Sequence, residues 1–392
     1  MGYGKLAKGI TEEEARRKLE EVMPSSMRKK EFQGASPPSV FIGSHSYPKV
    51  NTGILSPQHP GDSTMMDSPA DWYREGMDIE KIAMMRTSLV NSKKRLNVKD
   101  SDSFLMDSRE VAMASDPVDV EISLEKRPFS DVSGGRVKPV SSTGDLEDFT
   151  LGENPSVERK IEDLFYDTDA KAETAVQELS EKGIDVYKIQ QSFSTGMLGQ
   201  EENRKLVPTR WSITASDDIV SKRMREQVKD RQELGQVEYH TNSYLGNHFH
   251  IFLIPGRWEY ELIEMKRPGS VWNAAENTYI AQNYEPFSGR TEYAEETAGA
   301  FYATRLGILE HLRQRKRQAK ALVLREVTPE YWAPLGVWII RETVRDAFGD
   351  PEEMDSFRDV KMRIGNEFKF LYHRLVQESR MMGGRQASLS DF

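Results

Sequence analysis

Two short blocks of this 392-residue chain carry side chains whose types and spacing suit chemistry on phosphates. The first runs from Val207 to Asp218 and reads Val-Pro-Thr-Arg-Trp-Ser-Ile-Thr-Ala-Ser-Asp-Asp. If a strand ends near Thr214, Arg210 and Ser212 share a face, and Arg210 can grip a phosphate with its planar fork. A helix opening at Ser216 would add backbone N–H donors, and Asp217 and Asp218 could hold Mg²⁺ or act as a base. The competing reading is an ordinary helix start, with carboxylates at the positive end of the dipole. The second block, His240 to His250, holds three of the seven histidines. His248 and His250 are two apart on an expected strand, which makes them a candidate metal-ligand or proton-transfer pair. His240 could join them across a hairpin turning at Gly246-Asn247, with Glu259, Glu261 or Glu264 completing a metal shell. Solvent-facing or backbone-satisfied strand histidines are the alternative.

Cationic side chains add a third candidate. Arg313, Arg317 and Lys320 fall at helical spacing beside Arg315 and Lys316, a face that could follow a nucleic-acid backbone or be merely solvated. Arg290 follows Ser288-Gly289, where a loop can approach a ligand closely, and Thr291 can cap the next helix. Arg210, Ser212, His248 and Arg290 are thus expected to line one phosphate-accepting pocket. Tyr331 to Trp338 reads as a packed turn entering a helix rather than as a stacking platform.

The elements that must position these groups follow from periodicity. An amphipathic helix is expected over 11–22, with a strand over 39–43, helix over 71–89, and a half-buried strand through Val118, Val120, Ile122 and Leu124. Residues 156–183 read as helical with Gly183 as the C-cap. Strand character is expected over 186–191, 211–214, 237–245, 249–254 and 258–265. Helices are expected over 291–318, 336–348 and 353–381. The class is α+β: a central mixed or antiparallel sheet with a helical C-terminal layer. The division is an N-terminal helix and linker over 1–36, a core over 37–380 with a sub-boundary near 130–155, and a flexible tail over 381–392.

Composition narrows the classes. The chain is 37% hydrophobic and 30% charged, as in a folded, water-soluble protein. No apolar run approaches the ~20 residues of a membrane helix. With no cysteine, disulfides and thiolate metal sites are excluded. A net charge of −9 excludes a general basic coat for nucleic acid, so any DNA contact must be local. No Walker loop, zinc-peptidase helix or nucleophile elbow is present.

The final residues, Gln386-Ala387-Ser388-Leu389-Ser390-Asp391-Phe392, resemble the PCNA-interacting peptide by which repair proteins hold the sliding clamp. One tight helical turn puts Leu389 and Phe392 on one face as an apolar plug, with Gln386 a turn earlier to fill a polar notch. The usual second aromatic is missing. Met381 to Arg385 is expected to be a flexible spacer.

More widely, the chain resembles the archaeal Nre family of DNA-repair proteins, of the NreA type, from about residue 37 to the end. The resemblance rests on Pro38 to Gly43 with Tyr47 to Val50, on Val207 to Thr214, Leu245 to Asn247, Gly289 to Ala294, Arg317 to Ala319 and Pro334 to Trp338. It implies a role in the repair of DNA damage and a link to the PCNA sliding clamp. It does not bring a reaction with it. Many relatives carry an N-terminal cysteine-based zinc module, which this cysteine-free chain lacks. Three functions stay open: a clamp-tethered factor that binds DNA or a nucleotide, a nuclease or phosphohydrolase with a divalent metal cofactor, and a non-catalytic scaffold. A cytoplasmic, nucleoid-associated protein outside membranes is expected.

Overall fold

The computed structural model describes Arg17 and residues 29–129, 141–152 and 155–383. Apart from Arg17, the helix expected over 11–22 lies outside these residues, and so does the expected clamp-binding peptide over 386–392. The chain forms two compact units, Glu12–Val220 and Ser221–Phe392, the latter together with Met1–Thr11.

The first unit contains strands β1 (Glu31–Ser36), β2 (Val40–Ile42), β3 (Lys49–Pro57), β4 (Leu89–Asn97), β5 (Val118–Leu124) and β6 (Ser142–Leu151). They form one sheet in the order β1-β5-β6-β4-β3-β2, antiparallel except for the β4–β6 pair. Residues 31–36, expected as the end of a linker, are therefore an edge strand of this sheet. The alternation expected in β5 is present: Val118, Val120, Ile122 and Leu124 are buried, and the last three pack with Phe32 and Val90. The helices are α1 (Pro69–Arg74), α2 (Ile79–Ser88), α3 (Ser103–Met113), α4 (Arg159–Tyr166), α5 (Ala172–Glu181), α6 (Val186–Ser194) and α7 (Thr209–Lys229), the last running on past Val220. Gly183 follows α5 at φ +80°, the left-handed position a helix stop favours.

Two expected strands are helices. Residues 186–191 lie in α6, whose N-cap Asp185 accepts from the Tyr187 amide at 2.7 Å. Residues 211–214 lie in α7. Both windows are rich in β-branched or aromatic residues. In α6 the buried Val186, Ile189 and Gln190 follow helical spacing, and in α7 Val220, Met224 and Val228 do, so packing overrides local propensity.

The second unit is built on strands β7 (Gln232–Glu233), β8 (Val237–Tyr244), β9 (Asn247–Ile254), β10 (Glu259–Lys266), β11 (Tyr279–Glu285), β12 (Arg317–Gln318), β13 (Lys320–Val327) and β14 (Glu352–Met354). Six of them form a mixed sheet in the order β11-β10-β13-β9-β8-β14, with only β10–β13 parallel. Helices α8 (Gly299–Arg315), α9 (Trp338–Arg345), α10 (Phe357–Glu367) and α11 (Tyr372–Glu378) complete the unit. On one face of the sheet Tyr239, Phe252, Ile263 and Leu322 pack with Val360 and Ile364 of α10, Phe368 just after it, and Leu375 of α11. On the other, Tyr260 donates its hydroxyl to the Phe301 carbonyl of α8 at 3.0 Å. The expected α+β class with mixed sheets and C-terminal helices is what forms.

The helix expected over 291–318 begins only at Gly299, so Thr291 caps nothing. Tyr331 and Trp338 are buried on either side of a turn that enters α9, and the Tyr331 hydroxyl accepts from the Leu335 amide at 2.7 Å. Met382 packs in the core beside α11, so the expected spacer cannot begin before Gly383. Among the described residues no helix is long and apolar enough to cross a membrane.

Candidate functional site

In the first unit the start of α7 presents an aromatic and cationic surface. The Thr209 hydroxyl accepts from the Ile42 amide at 2.9 Å, fixing the β2–β3 corner against the helix. Tyr47, in that corner, meets Trp211 with ring centroids 5.3 Å apart. Both rings are 40% or more exposed, as is Phe41 on β2. The amide of Val98 donates to Pro48 O at 3.0 Å and that of Leu206 to Val98 O at 2.8 Å, tying three segments together here. Exposed cations lie on each of them: Lys49, Lys99, Lys205 and, at the second position of α7, Arg210. Exposed aromatic faces among cations suit stacking of bases beside a phosphate backbone.

Arg210 and Ser212 do not share a face, because two residues span about 200° on a helix. Arg210 is exposed, whereas Ser212 is buried and donates to Gln190 O at 2.6 Å. The amides of Trp211 and Ser212 donate to Pro208 O, which leaves fewer free donors for an anion than expected. Asp217 is fully buried and accepts from Gln190 Nε2 at 3.2 Å; Asp218 is half-buried one residue on.

In the second unit the histidines divide by register. The turn is Leu245-Gly246, both at positive φ, one residue earlier than expected. A Cβ on Gly246 would come within 2.6 Å of the Tyr331 amide nitrogen, so only glycine fits there. The pairing sets His240 opposite Ile251, and His248 and His250 opposite Ser243 and Thr241. His240 therefore faces away from the other two, and the expected three-histidine group does not form. His248 Nδ1 lies 2.8 Å from Ser243 Oγ, and His250 Nδ1 lies 2.7 Å from the Tyr239 hydroxyl. Burial pushes His250 down to about 4, against the opposing charge of Glu326.

Glu259, Glu261 and Glu264 serve other partners. Lys320 reaches Glu259 at 3.1 Å, and Arg325 pairs with Glu264 inside the core. Arg290 is held by backbone carbonyls, Nη1 to Tyr284 O at 2.8 Å and Nη2 to Tyr293 O at 3.2 Å. Arg313, Arg317 and Lys320 share no helix face, because α8 ends at Arg315 and Lys316 turns left-handed at φ 54°. Arg317 and Lys320 begin strands instead.

The face His240 occupies holds a group absent from the expected ligand sets. Glu238, His240 and His311 of α8 each bring one donor atom to within 4.8 Å of the others. His240 Nε2 is 3.4 Å from Glu238 Oε2, and Arg315 Nη1 reaches the same oxygen at 2.5 Å. Phe348 stacks on His311 at 4.1 Å and meets the His240 ring edge-on at 5.1 Å, fixing both planes. Burial opposes the Glu238 charge, but hydrogen bonds from His240 and Arg315 prevail and hold its carboxyl at about 2. Burial, with His240 and Arg315 nearby, pushes His311 down to about 4, leaving a neutral imidazole at pH 7. The sequence signal for this group was the His240-Phe249 strand pattern and a histidine on an apolar helix, 71 residues apart.

Comparison with known proteins covers the chain almost end to end. Residues 12–273 match the family model "Archaeal Nre, N-terminal", and residues 285–392 match "Archaeal Nre, C-terminal". The chain is 45% identical to "DNA repair protein NreA" of Haloferax volcanii over 370 residues, covering 92% of this chain and 88% of that protein. It is 35% identical to "DNA repair protein NreA" of Archaeoglobus fulgidus, covering 91% and 89%, and 33% identical to "DNA repair protein NreB" of the same organism, covering 94% of each. No solved structure matches. With both halves matched and relatives alike over nearly their whole length, the chain belongs to the archaeal Nre family.

Proposed function

We propose that this protein is a DNA-repair factor tethered to the PCNA clamp by Gln386, Leu389 and Phe392, and that it touches DNA through Tyr47, Trp211 and the cations around them. The observation that carries the repair role is 45% identity, over 92% of the chain, to a protein named for DNA repair. The clamp tether is supported by the Gln386-to-Phe392 pattern, a two-pronged apolar plug behind glycines. The DNA contact is supported by Tyr47 and Trp211, two neighbouring aromatic rings left half in water among lysines. Position on a clamp would place the protein on the nucleoid. The nuclease alternative has less support, since Asp217 is buried and already hydrogen-bonded.

Two titrations test this reading. One measures archaeal PCNA against the full chain and against the Leu389→Ala, Phe392→Ala double variant by calorimetry. The other measures fluorescence anisotropy of labelled single-stranded DNA against the chain and against Trp211→Ala. Clamp binding that survives the double substitution removes the tether. DNA binding indifferent to Trp211 removes the contact surface.

A further inference from the structure

We infer that Glu238, His240 and His311 form a binding site for one divalent transition-metal ion, with Glu353 in reach as a further ligand. The site goes beyond the repair reading and does not depend on it. Two imidazoles and a carboxylate are a donor set that zinc uses and that other first-row divalent ions also accept. Their donor atoms already lie within 4.8 Å of one another, a spread that one ion at the centre of the group can bridge after small side-chain movements.

The hydrogen bonding points the same way. His240 Nδ1 and His311 Nε2 are both buried and have no partner. The His240 side chain is only 1% exposed. Buried polar atoms are nearly always satisfied, so two unsatisfied imidazole nitrogens in one cluster call for a ligand. The ring planes are set by packing, and a half-turn of either imidazole trades each nitrogen for a ring carbon without moving that plane.

Carboxylates and access complete the case. Glu353 of β14 pairs directly with Glu238 of β8, so the two side chains rise from the same face about 5 Å apart at Cβ. Both line an open concavity of about 510 Å³ with His311, Arg315, Leu234 and Gly235, which gives an ion a path from solvent. Two neighbouring carboxylates need a counter-charge. Arg315 supplies it to Glu238 now, but its side chain is 38% exposed and can swing out. A divalent ion would replace a single positive charge by two and satisfy the imidazoles that Arg315 does not reach.

The experiment is a titration of the tag-free, chelator-washed full chain with Co²⁺, read by calorimetry and by the visible d–d absorption of the bound ion. The expected result is one ion per chain, with affinity reduced tenfold or more in His311→Gln and in Glu238→Gln. His248→Ala, on the opposite face of the sheet, is expected to bind like the parent. Arg315→Ala trims a side chain that is 38% exposed and leaves all the ligands in place, and it is expected to bind Co²⁺ at least as tightly as the parent. Absence of stoichiometric Co²⁺ uptake overturns the site. So does undiminished affinity in a folded His311→Gln protein, or weaker binding by Arg315→Ala.

Discussion

Ser379 donates its hydroxyl to the buried carboxylate of Glu261 at 2.7 Å, joining the end of α11 to the middle of β10. The same carboxylate accepts from the Arg380 amide at 2.7 Å, the Met381 amide at 3.0 Å and Gln282 Nε2 at 2.6 Å. Four donors satisfy one buried charge, and three of them come from the three residues that follow α11.

Glu261→Gln is expected to destabilise the second unit by about 2–4 kcal/mol. The amide keeps one acceptor oxygen and turns an N–H₂ group towards donors, and hydrogen bonds to a charged group are worth about 1.5–3 kcal/mol each. Urea unfolding followed by tryptophan fluorescence measures the loss. A change under ~0.5 kcal/mol would show that the carboxylate anchors nothing.

The anchor also says where the chain can be cut. Shortening it to Gly384 keeps Ser379 to Met382 and removes few apolar residues, so the melting temperature is expected to hold within about a degree or two. Shortening it to Glu378 removes the Ser379, Arg380 and Met381 donors and exposes the pocket of Met382, which is 2% exposed. That protein is expected to melt at least ~5 °C lower, in line with roughly 2–4 °C per kcal/mol for a unit of this size. Calorimetric scans of the two truncations settle the order.

Removal of Leu389 and Phe392 together deletes two side chains worth ~1.5–3 kcal/mol each when fully buried on a partner. Affinity for PCNA is expected to fall at least about a hundredfold, roughly 3 kcal/mol, while the melting temperature stays put. A lost melting temperature would place the two residues in this protein's own fold instead.

Trp211→Ala is expected to weaken single-stranded DNA binding by about 1–3 kcal/mol, the usual worth of one stacked base. Its ring is 46% exposed, so stability is expected to change by less than ~1 kcal/mol. Lys49→Ala and Lys205→Ala are expected to lower the salt dependence of binding, each reducing the slope by about 0.7–1. Anisotropy titrations at three salt concentrations separate the stacking effect from the ionic one.

His250 makes a pH prediction. Its folded value of about 4 lies below the unfolded value near 6.5, because burial disfavours the charged ring. The unfolded chain therefore takes up a proton first as pH falls, and stability present above pH 6.5 is lost progressively down to pH 4. Between pH 7 and pH 5 this ring is expected to account for about 2 kcal/mol of lost stability. Its surroundings contribute Glu326, His248 and Arg363, all of which are retained in His250→Gln. The variant is expected to lose about 2 kcal/mol less than the parent over that interval, measured by urea melts at both values.

The sequence by itself determined the family, the α+β class, the absence of thiol chemistry and the strands whose patterns are long and unambiguous. The alternation of Val118, Val120, Ile122 and Leu124 needed no context, because one buried face imposes a period of two, and the apolar runs of β9 and β10 are those of strands covered on both faces. Tertiary structure decided the rest. Residues 186–191 and 211–214 are short, β-branched and aromatic, and only packing along α6 and α7 made them helical. The three histidines of β8 and β9 looked like one group in the chain. A two-residue turn pairs even positions with odd ones, so it turned His240 to the opposite face. There it met His311, 71 residues away on α8, and Glu238, whose partner strand β14 lies more than a hundred residues further on. Spacing along a chain reports which residues share a face of one element. Which faces meet is set by how elements pack to bury their apolar sides, and that depends on the whole chain at once.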